Sequence, residues 1–207
     1  MLKILGRASS INVRKVLWTC NELDIDFERE DWGIGFQPTA QESFLALNPN
    51  AMIPVLIDGD FVLWESNTIC RYLGTQYGDG TLLPIEPKTR AITEQWMDWQ
   101  ATELNNAWRY AFMALVRKSP AYQVPEQLQV SIAGWNRAMA ILEGQLSATS
   151  RFITGDRFSL ADIVLGLSVN RWMLAPIEHP HYPAIADYFE RLHERPGFRE
   201  FCGNGMP

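Results

Sequence analysis

The chain has little cysteine, little positive charge and no long apolar run. Its three cysteines, with no C-x-x-C pair among them, indicate neither a disulfide framework nor a zinc site. Lysine and arginine number 18 against 24 acidic residues, and no basic stripe is present, which argues against a nucleic-acid-binding surface. No apolar run approaches the ~20 residues of a membrane span, and no signal-peptide pattern opens the chain, so we expect a cytoplasmic protein without membrane contact.

Histidine is scarce as well. His179 and His181 flank a proline, and no third ligand type accompanies them. We therefore expect solvent-exposed histidines and no metal. Cys20 and Cys70 fall on apolar helix faces, where buried, inert thiols are expected. The 47% hydrophobic and 20% charged residues are typical of a globular chain, and 207 residues can bury a sizeable core.

The centre of the pattern is a hairpin followed directly by a helix. Two apolar, β-branched runs at 55–57 and 61–64 are separated by Asp58-Gly59, which supplies the positive φ angles of a tight turn. Glu65 and Ser66 come next and are suited to cap a helix whose apolar residues recur at helical spacing.

The first 78 residues predict an α/β, thioredoxin-like domain. A strand at 2–5, a helix at 12–24 and a strand at 27–32 form a unit that pairs two strands in parallel, with a right-handed crossover. A brief helix at 41–47 precedes the hairpin and its helix. The order β-α-β-α-β-β-α describes a mixed four-stranded sheet surrounded by helices.

The remainder predicts an all-α helical bundle domain. Turn formers concentrate around 79–88, which we interpret as a linker between a domain at 1–78 and a helical domain at 89–207. The helical domain contains four predicted helices: one over 88–117, one with an apolar seam from Leu128 to Leu146, one behind a Ser159–Asp162 capping box, and one from Pro183 that is ended by Arg195-Pro196-Gly197.

The junction between hairpin and helix offers the groups that a small zwitterionic peptide needs. A helix N-terminus at Ser66 can hold a carboxylate, and Glu65 can hold an ammonium. A cis peptide before Pro54 would turn the backbone of Ile53 outward, where it can pair with an extended peptide. The same residues also suit an ordinary hairpin followed by a capped helix, and both interpretations remain open at this point.

The turn at 7–12 is the reactive position of a thioredoxin-like domain. A redox enzyme would need cysteine there, and this chain has Ser9 and Ser10. A serine hydroxyl at a helix N-terminus can donate a hydrogen bond to a thiolate carried in by a ligand. Lowering a thiol pKa by about two units needs about 2.7 kcal/mol of preference for the anion, which is of the size of these two effects. Simple helix capping by Ser9, Ser10 and Asn12 is an equal alternative.

These motifs together resemble the cytosolic glutathione transferases, in a serine- or asparagine-type bacterial class, over essentially the whole chain. The matching segments are Ser10-Ile11-Asn12-Val13-Arg14-Lys15-Val16-Leu17, Asn48-Pro49, Ile53-Pro54-Val55-Leu56, Asp58-Gly59, Glu65-Ser66, Ile69, Tyr72-Leu73 and Ser159-Leu160-Ala161-Asp162-Ile163. The resemblance implies a homodimeric enzyme that uses glutathione as co-substrate and needs no metal. Its reaction would be attack of the glutathione thiolate on a small electrophilic, hydrophobic substrate, as in detoxification.

The resemblance also implies catalytic residues. Ser10 matches the activating serine, with Ser9 and Asn12 as rivals, since an amide N–H also donates to sulfur. No tyrosine lies at this turn, so the tyrosine-type classes are excluded.

Glutathione-binding residues follow in the same way. The backbone of Ile53 would pair with the cysteinyl part, and Glu65 and Ser66 would hold the γ-glutamyl end. Gln37 is the residue that the 33–40 loop offers near the glycyl carboxylate. Met52 stands where many relatives carry a polar residue that touches glutathione.

The second substrate would lie between the domains, against the long helix. Trp108 and Phe112 are the candidates for its hydrophobic wall, with Tyr110 and Arg109 beside them. Two other functions remain: a glutathione-dependent isomerase or dehalogenase, a type that usually carries a cysteine in its serine-rich turn, and a non-catalytic module of the same fold that binds a protein partner.

Overall fold

A computed structural model describes all 207 residues as a four-stranded sheet and nine α-helices. The thioredoxin-like order predicted from the sequence is confirmed. The elements are β1 (Leu2–Leu5), α1 (Ile11–Glu22), β2 (Phe27–Glu30), α2 (Glu42–Leu45), β3 (Val55–Asp58), β4 (Phe61–Trp64), α3 (Ser66–Gln76), α4 (Pro87–Trp99), α5 (Asn105–Leu115), α6 (Pro125–Thr149), α7 (Leu160–Leu174), α8 (Pro183–His193) and α9 (Pro196–Phe201).

The sheet has the strand order β2-β1-β3-β4. β1 pairs with β2 in parallel, and β1–β3 and β3–β4 are antiparallel. The hairpin turn lies one residue later than predicted, because Asp58 pairs with Phe61 and leaves Gly59 and Asp60 as the loop. The Asp58 carboxylate instead accepts hydrogen bonds from the hydroxyls of Tyr72 and Tyr77, at 2.7 and 2.5 Å.

Helix α1 joins the two halves of the molecule. Its side chains from Val13 to Cys20 are buried, and it packs against α3 on one side and against α7 and α9 on the other. Trp18 is fully buried and contacts the rings of Phe158 and Phe198 at 5.8 and 5.5 Å. A single apolar core therefore extends from the sheet into the helical half.

The predicted long helix runs from Pro87 to Leu115, with one irregularity. A π-helical turn at Gln100–Leu104 separates α4 from α5. Single π turns widen a helix locally and are frequent at functional sites. Here the widened turn begins at Gln100, a polar side chain that is buried between the two halves.

Helix α8 ends at His193, just before Arg195-Pro196-Gly197, as the sequence predicts, but a further helix that the sequence does not predict follows. Pro196 begins a further short helix, α9, because proline is well tolerated at a first helical position. Gly197 is required there, since a Cβ atom at this position would lie 2.5 Å from Cδ1 of Trp18.

The segment predicted as a linker is attached to the helical half. Leu82 and Leu83 are buried, and the carbonyl of Leu82 accepts a hydrogen bond of 2.9 Å from the N–H of Leu160. The predicted capping box of α7 is present, with the Asp162 carboxylate accepting from the N–H of Ser159 at 2.8 Å. None of the helices is both long and apolar enough to cross a membrane.

The expectation of exposed histidines is wrong for one of the two. His181 is exposed, whereas His179 is half-buried. The His179 ring lies edge-on to Trp172 at 4.5 Å, and its Nε2 lies 2.7 Å from the carbonyl oxygen of Trp172. No group of three or more His, Cys, Asp or Glu side chains is placed to hold a metal ion.

Candidate active site

The peptide bond between Ile53 and Pro54 is cis, as the sequence analysis expected. The backbone N–H and C=O of Ile53 make no hydrogen bond within the protein. The loop before them is fixed by the buried Asn48, whose side-chain amide donates to the carbonyl of Met52 at 2.7 Å. Ile53 therefore presents an unpaired backbone edge that an extended peptide can use.

Helix α3 begins directly after the β3–β4 hairpin that follows this edge. Ser66 is its first residue and is buried, and its hydroxyl makes no hydrogen bond within the protein. Glu65 is exposed and has φ 72° and ψ 108°, a conformation that costs a non-glycine residue roughly 1–3 kcal/mol. Such strained residues cluster at ligand sites. The free N–H groups of the first turn of α3 carry partial positive charge, and the adjacent Glu65 carboxylate carries negative charge.

The turn before α1 leaves its polar side chains free. Ser10 is the N-cap residue and is half-buried, yet its hydroxyl does not accept from the helix. Ser9 is exposed, Asn12 lies in the first turn of α1, and neither side chain makes a hydrogen bond. The helix-capping interpretation is therefore wrong for these residues. Ser10 and Asn12 both keep donors at a helix N-terminus, where negative charge is favoured.

A buried polar network connects the two helix ends. Nζ of Lys15 donates to Oδ1 of Asn67 at 3.0 Å and to Oε1 of Gln100 at 2.8 Å. The Asn67 amide donates in turn to the carbonyl of Met97 at 2.8 Å. Burial lowers the pKa of Lys15 to about 8, and the charge of Glu65 offsets only part of this effect. Because Asn67 follows Ser66 and Lys15 lies on the helix that Ser10 starts, this network fixes one helix end relative to the other.

The network continues to the aromatic residues of α5. Nε2 of Gln100 donates to Oδ1 of Asn105 at 2.9 Å and to Oγ of Ser168 at 3.1 Å. Oδ1 of Asn105 also accepts from Nε1 of Trp108 at 3.1 Å. Trp108 is half-buried and meets the buried Phe112 edge-on at 5.4 Å. The two aromatic side chains predicted as a hydrophobic wall thus lie side by side.

Tyr110 has a different position. Its hydroxyl accepts from the N–H of Val124 at 2.9 Å, and its ring contacts Tyr122 at 5.0 Å. It lines a groove of about 700 Å³ between α5 and α6, which neither Trp108 nor Phe112 reaches. Arg109 is exposed and makes no ion pair.

Comparison with known proteins identifies the family. The models of the glutathione S-transferase N-terminal and C-terminal domains match residues 1–75 and 105–196. Glutathione S-transferase GstB of Escherichia coli is 35% identical over 202 residues, which cover 97% of each chain. The chain belongs to the glutathione S-transferase family.

Solved structures of other glutathione S-transferases have the same fold. A theta class enzyme from Xanthomonas axonopodis pv. citri, with glutathione bound, superposes with a TM-score of 0.89 at 33% identity, covering 97% of this chain and 96% of the other. An epsilon-class enzyme from the housefly Musca domestica gives 0.87 at 26% identity, covering 100% and 94%.

The cysteines of this glutathione S-transferase are unsuited to catalysis. All three are buried and free, as expected for Cys20 and Cys70. Burial raises the thiol pKa of Cys20 to about 12 and that of Cys70 to about 11, and it raises the pKa of Cys202 further. A nucleophilic sulfur must therefore come from a ligand.

Gln37 and Met52, the two loop residues considered for glutathione in the sequence, are both exposed. Gln37 is exposed, and its side-chain amide donates to Oε1 of Glu30 at 2.9 Å. Its amide oxygen makes no hydrogen bond within the protein. Met52 is 60% exposed and brings no polar side chain.

The sequence suggests only helix capping for Asn67 and does not predict that Asn67, Gln100 and Lys15 meet in a buried network. Each lies far along the chain from its partners. The one local signal was a lysine among the apolar residues of α1, where a charge is costly to bury.

Proposed function

We propose that the protein is a glutathione S-transferase that lowers the pKa of the glutathione thiol and directs the thiolate at a small electrophilic, hydrophobic substrate. The observation that carries this proposal is the similarity, over 97% of the chain, to a theta class structure with glutathione bound. The free Ser10 hydroxyl and the unpaired backbone of Ile53 also support it, because both groups are available to hydrogen-bond a ligand.

Each part of glutathione has a proposed partner. The γ-glutamyl carboxylate accepts from the N–H groups and the hydroxyl at Ser66, and the ammonium pairs with Glu65. The cysteinyl backbone pairs with Ile53. The glycyl carboxylate meets only Gln37 at the loop, and a neutral amide holds a carboxylate less firmly than a cation does. Glutathione binding is therefore expected to depend mainly on the γ-glutamyl end.

The chemical step begins with a thiolate. The Ser10 hydroxyl donates to the sulfur, and the N-terminus of α1 adds partial positive charge, so the thiol proton leaves to solvent at neutral pH. The sulfur then attacks the electrophilic carbon of a substrate held against Trp108 and Phe112. One C–S bond forms, the bond to the leaving group breaks, and the leaving group carries away the electron pair.

The alternatives receive less support. A glutathione-dependent isomerase or dehalogenase of the related type would have a cysteine at the 7–12 turn, and the three cysteines here are buried elsewhere. A non-catalytic interaction module has no need of unpaired donors at two helix ends.

Conjugation of glutathione to 1-chloro-2,4-dinitrobenzene tests the proposal. Catalysis above the rate without enzyme supports it, and glutathione binding without any conjugation would contradict it.

Assembly, organisation and role are proposed with the activity. We expect a cytoplasmic homodimer that serves detoxification, with a glutathione-binding domain at 1–78, a linker at 79–88 and a helical domain at 89–207. Apolar side chains are exposed on β4, α3 and α4, among them Phe61, Trp64, Tyr77 and Ile92. Such surfaces mark interaction sites. Light scattering should give twice the chain mass of 23.6 kDa, and a monomer at micromolar concentration would contradict the dimer.

A further inference from the structure

Four arginines from different elements lie close enough for their charges to act on one another. Arg7 follows β1, Arg14 lies in α1, Arg117 follows α5 and Arg171 lies in α7. We call them the arginine cluster. None of the six ion pairs in the structure includes any of them. This concentration of positive charge is notable in a chain whose net charge is −6.

Arg171 is the most deeply buried member. It is 3% exposed, its guanidinium makes no hydrogen bond to any protein group, and its Nε is fully buried without an acceptor. Its guanidinium lies over the rings of Trp108 and Phe112, with 4.5 and 4.0 Å from Cζ to the ring centroids. The unpartnered cation is thus held against the two residues proposed to form the wall of the electrophile site.

Arg117 lies next to this position, and Arg7 is close enough for the charge of Arg117 to act on it. Cζ of Arg117 lies 5.4 Å from the centroid of the same Phe112 ring. Arg7 lies beside Gly33, which also contacts Ile53, and its Nε is buried without an acceptor. Arg117 is exposed and its guanidinium makes no hydrogen bond within the protein, so its side-chain donors remain free for a ligand.

Arg14 is the member of the arginine cluster whose terminal nitrogens have partners within the protein, although its Nε is buried without an acceptor. Its two terminal nitrogens donate to the carbonyls of Met206 and Pro207, each at 2.9 Å. Its role is therefore structural, and it still adds positive charge behind Arg171. Burial, followed by the charges of Arg14 and Arg117, lowers the pKa of Arg171 to about 9. No carboxylate is among the groups that act on this pKa.

Contact with aromatic rings alone is a weak explanation for a buried guanidinium. A desolvated cation–π contact contributes about 2 kcal/mol, whereas removing a charge from water costs several kcal/mol. Buried charges in proteins are paired or hydrogen-bonded as a rule. The Arg171 guanidinium has neither an ion pair nor a hydrogen bond, and it borders a ligand site. A bound anion would supply both, and the planar donors of arginine match a carboxylate.

We propose that the electrophilic substrate carries a carboxylate, which Arg171 and Arg117 bind above Trp108 and Phe112. This inference rests on the proposed glutathione conjugation and names its substrate class: a small electrophile with an apolar body and one anionic group. The carboxylate takes no part in the bond changes. It fixes the electrophilic carbon in front of the thiolate, so the gain comes from orientation as well as from affinity.

A matched pair of substrates tests the proposal. 4-Chloro-3,5-dinitrobenzoate and 4-chloro-3,5-dinitrobenzamide react alike: the glutathione sulfur bonds to the ring carbon that carries chlorine, and chloride leaves with the electron pair. The kcat/KM of each is divided by its rate constant with free glutathione, which removes intrinsic reactivity. We expect the wild-type protein to favour the benzoate by about tenfold or more, with a preference that falls as salt is raised.

Variants assign the preference to residues. Arg117→Gln, at an exposed position, should lower the normalised kcat/KM for the benzoate about threefold to tenfold and leave the benzamide within twofold. Arg171→Met should remove the preference altogether. Arg171→Lys keeps the charge and should restore part of it. Arg137→Gln is the control, because Arg137 is exposed on α6 and belongs to no ion pair or aromatic contact.

The outcomes separate this inference from the proposed function. Conjugation of both substrates with no benzoate preference, or with a preference that Arg117→Gln and Arg171→Met leave unchanged, would overturn the inference and leave the transferase intact. A higher glutathione Kd in both variants, with an equal decrease in the normalised kcat/KM for both substrates, would instead show that the arginines bind glutathione, and it would overturn the inference.

Failure to conjugate either substrate would overturn the proposed function, and binding then decides the inference. Calorimetry with unreactive 3,5-dinitrobenzoate and 3,5-dinitrobenzamide needs no glutathione. Tighter binding of the benzoate that is lost in Arg117→Gln supports the anion site. Equal binding of the two compounds contradicts it.

Discussion

Two helix N-termini, those of α1 and α3, face the candidate active site, and they are built differently. α1 begins at Ser10 with an ordinary extended N-cap at φ −82°, whereas α3 begins after Glu65 at φ 72°. Neither helix caps itself with the side chain at its start. An uncapped helix N-terminus is thus available twice. We propose that Ser10 donates to the glutathione sulfur and that Glu65-Ser66 binds the γ-glutamyl group.

We predict that removing the hydroxyl at the start of α1 reduces turnover, and that removing the hydroxyl at the start of α3 reduces glutathione binding. Ser10→Ala should lower kcat for 1-chloro-2,4-dinitrobenzene by about 100-fold or more, because a donor to the developing or resting anion is removed. The glutathione Kd, measured by calorimetry, should change less than about threefold. Ser9→Ala is the control and should match the wild type. Unchanged turnover in Ser10→Ala would transfer the role to Asn12 or Ser9.

Ser66→Ala should have the opposite profile. The glutathione Kd should rise about tenfold, since one hydrogen bond to a carboxylate is lost, while kcat at saturating glutathione stays within about twofold. Thr68, exposed in the same turn, provides the control Thr68→Ala. An unaltered Kd in Ser66→Ala would remove the carboxylate assignment.

Lys15 connects the two helix ends, and we expect its contribution to the free energy of unfolding to depend on pH. Its pKa is about 8 in the folded protein and about 10.5 in the unfolded chain, so between these values the unfolded chain binds more protons. Stability from this group therefore rises with pH in that window. The free energy of unfolding of the wild type minus that of Lys15→Met should increase by about 1 kcal/mol between pH 7.5 and 9.

Urea denaturation at each pH measures this difference. The other titrating groups are common to both proteins and cancel in the subtraction. A difference that stays flat or falls with pH would show that Lys15 is not buried as a cation.

The smallest expected effect is the change in stability when the strained backbone at Glu65, before α3, is relieved. Glu65→Gly should relieve the positive φ and raise stability by up to about 1 kcal/mol, while glutathione binding weakens because the carboxylate is lost. Glu65→Gln is the matched control: it should weaken binding equally and leave stability unchanged. Equal stability of the glycine and glutamine variants would mean that the backbone at Glu65 stores no strain.

What sequence reasoning could predict was local. The β-α-β unit, the hairpin with its helix and the Ser159–Asp162 box depend on neighbours within a few residues, and all three are present. The hairpin turn was misplaced by one residue because Asp58-Gly59 and Gly59-Asp60 both suit a tight turn.

What could not be predicted depends on distant partners. Lys15 meets Gln100 across 85 positions, and the contact forms only when α1 packs against the π turn. Arg171 reaches Trp108 and Phe112 from another helix in the same way. Polar residues at these positions are usually interpreted as solvent-facing in a sequence, and only the apolar neighbours of Lys15 in α1 indicate that it is buried.

The central claim is that the N-terminus of α1 stabilises a glutathione thiolate. The most direct measurement is the ultraviolet thiolate absorbance of glutathione bound to the protein, followed from pH 5 to 9, in the wild type and in Ser10→Ala. We predict a bound thiol pKa about two units below that of free glutathione, and a return toward the free value in Ser10→Ala. Bound glutathione with the pKa of the free thiol in the wild type would contradict the account.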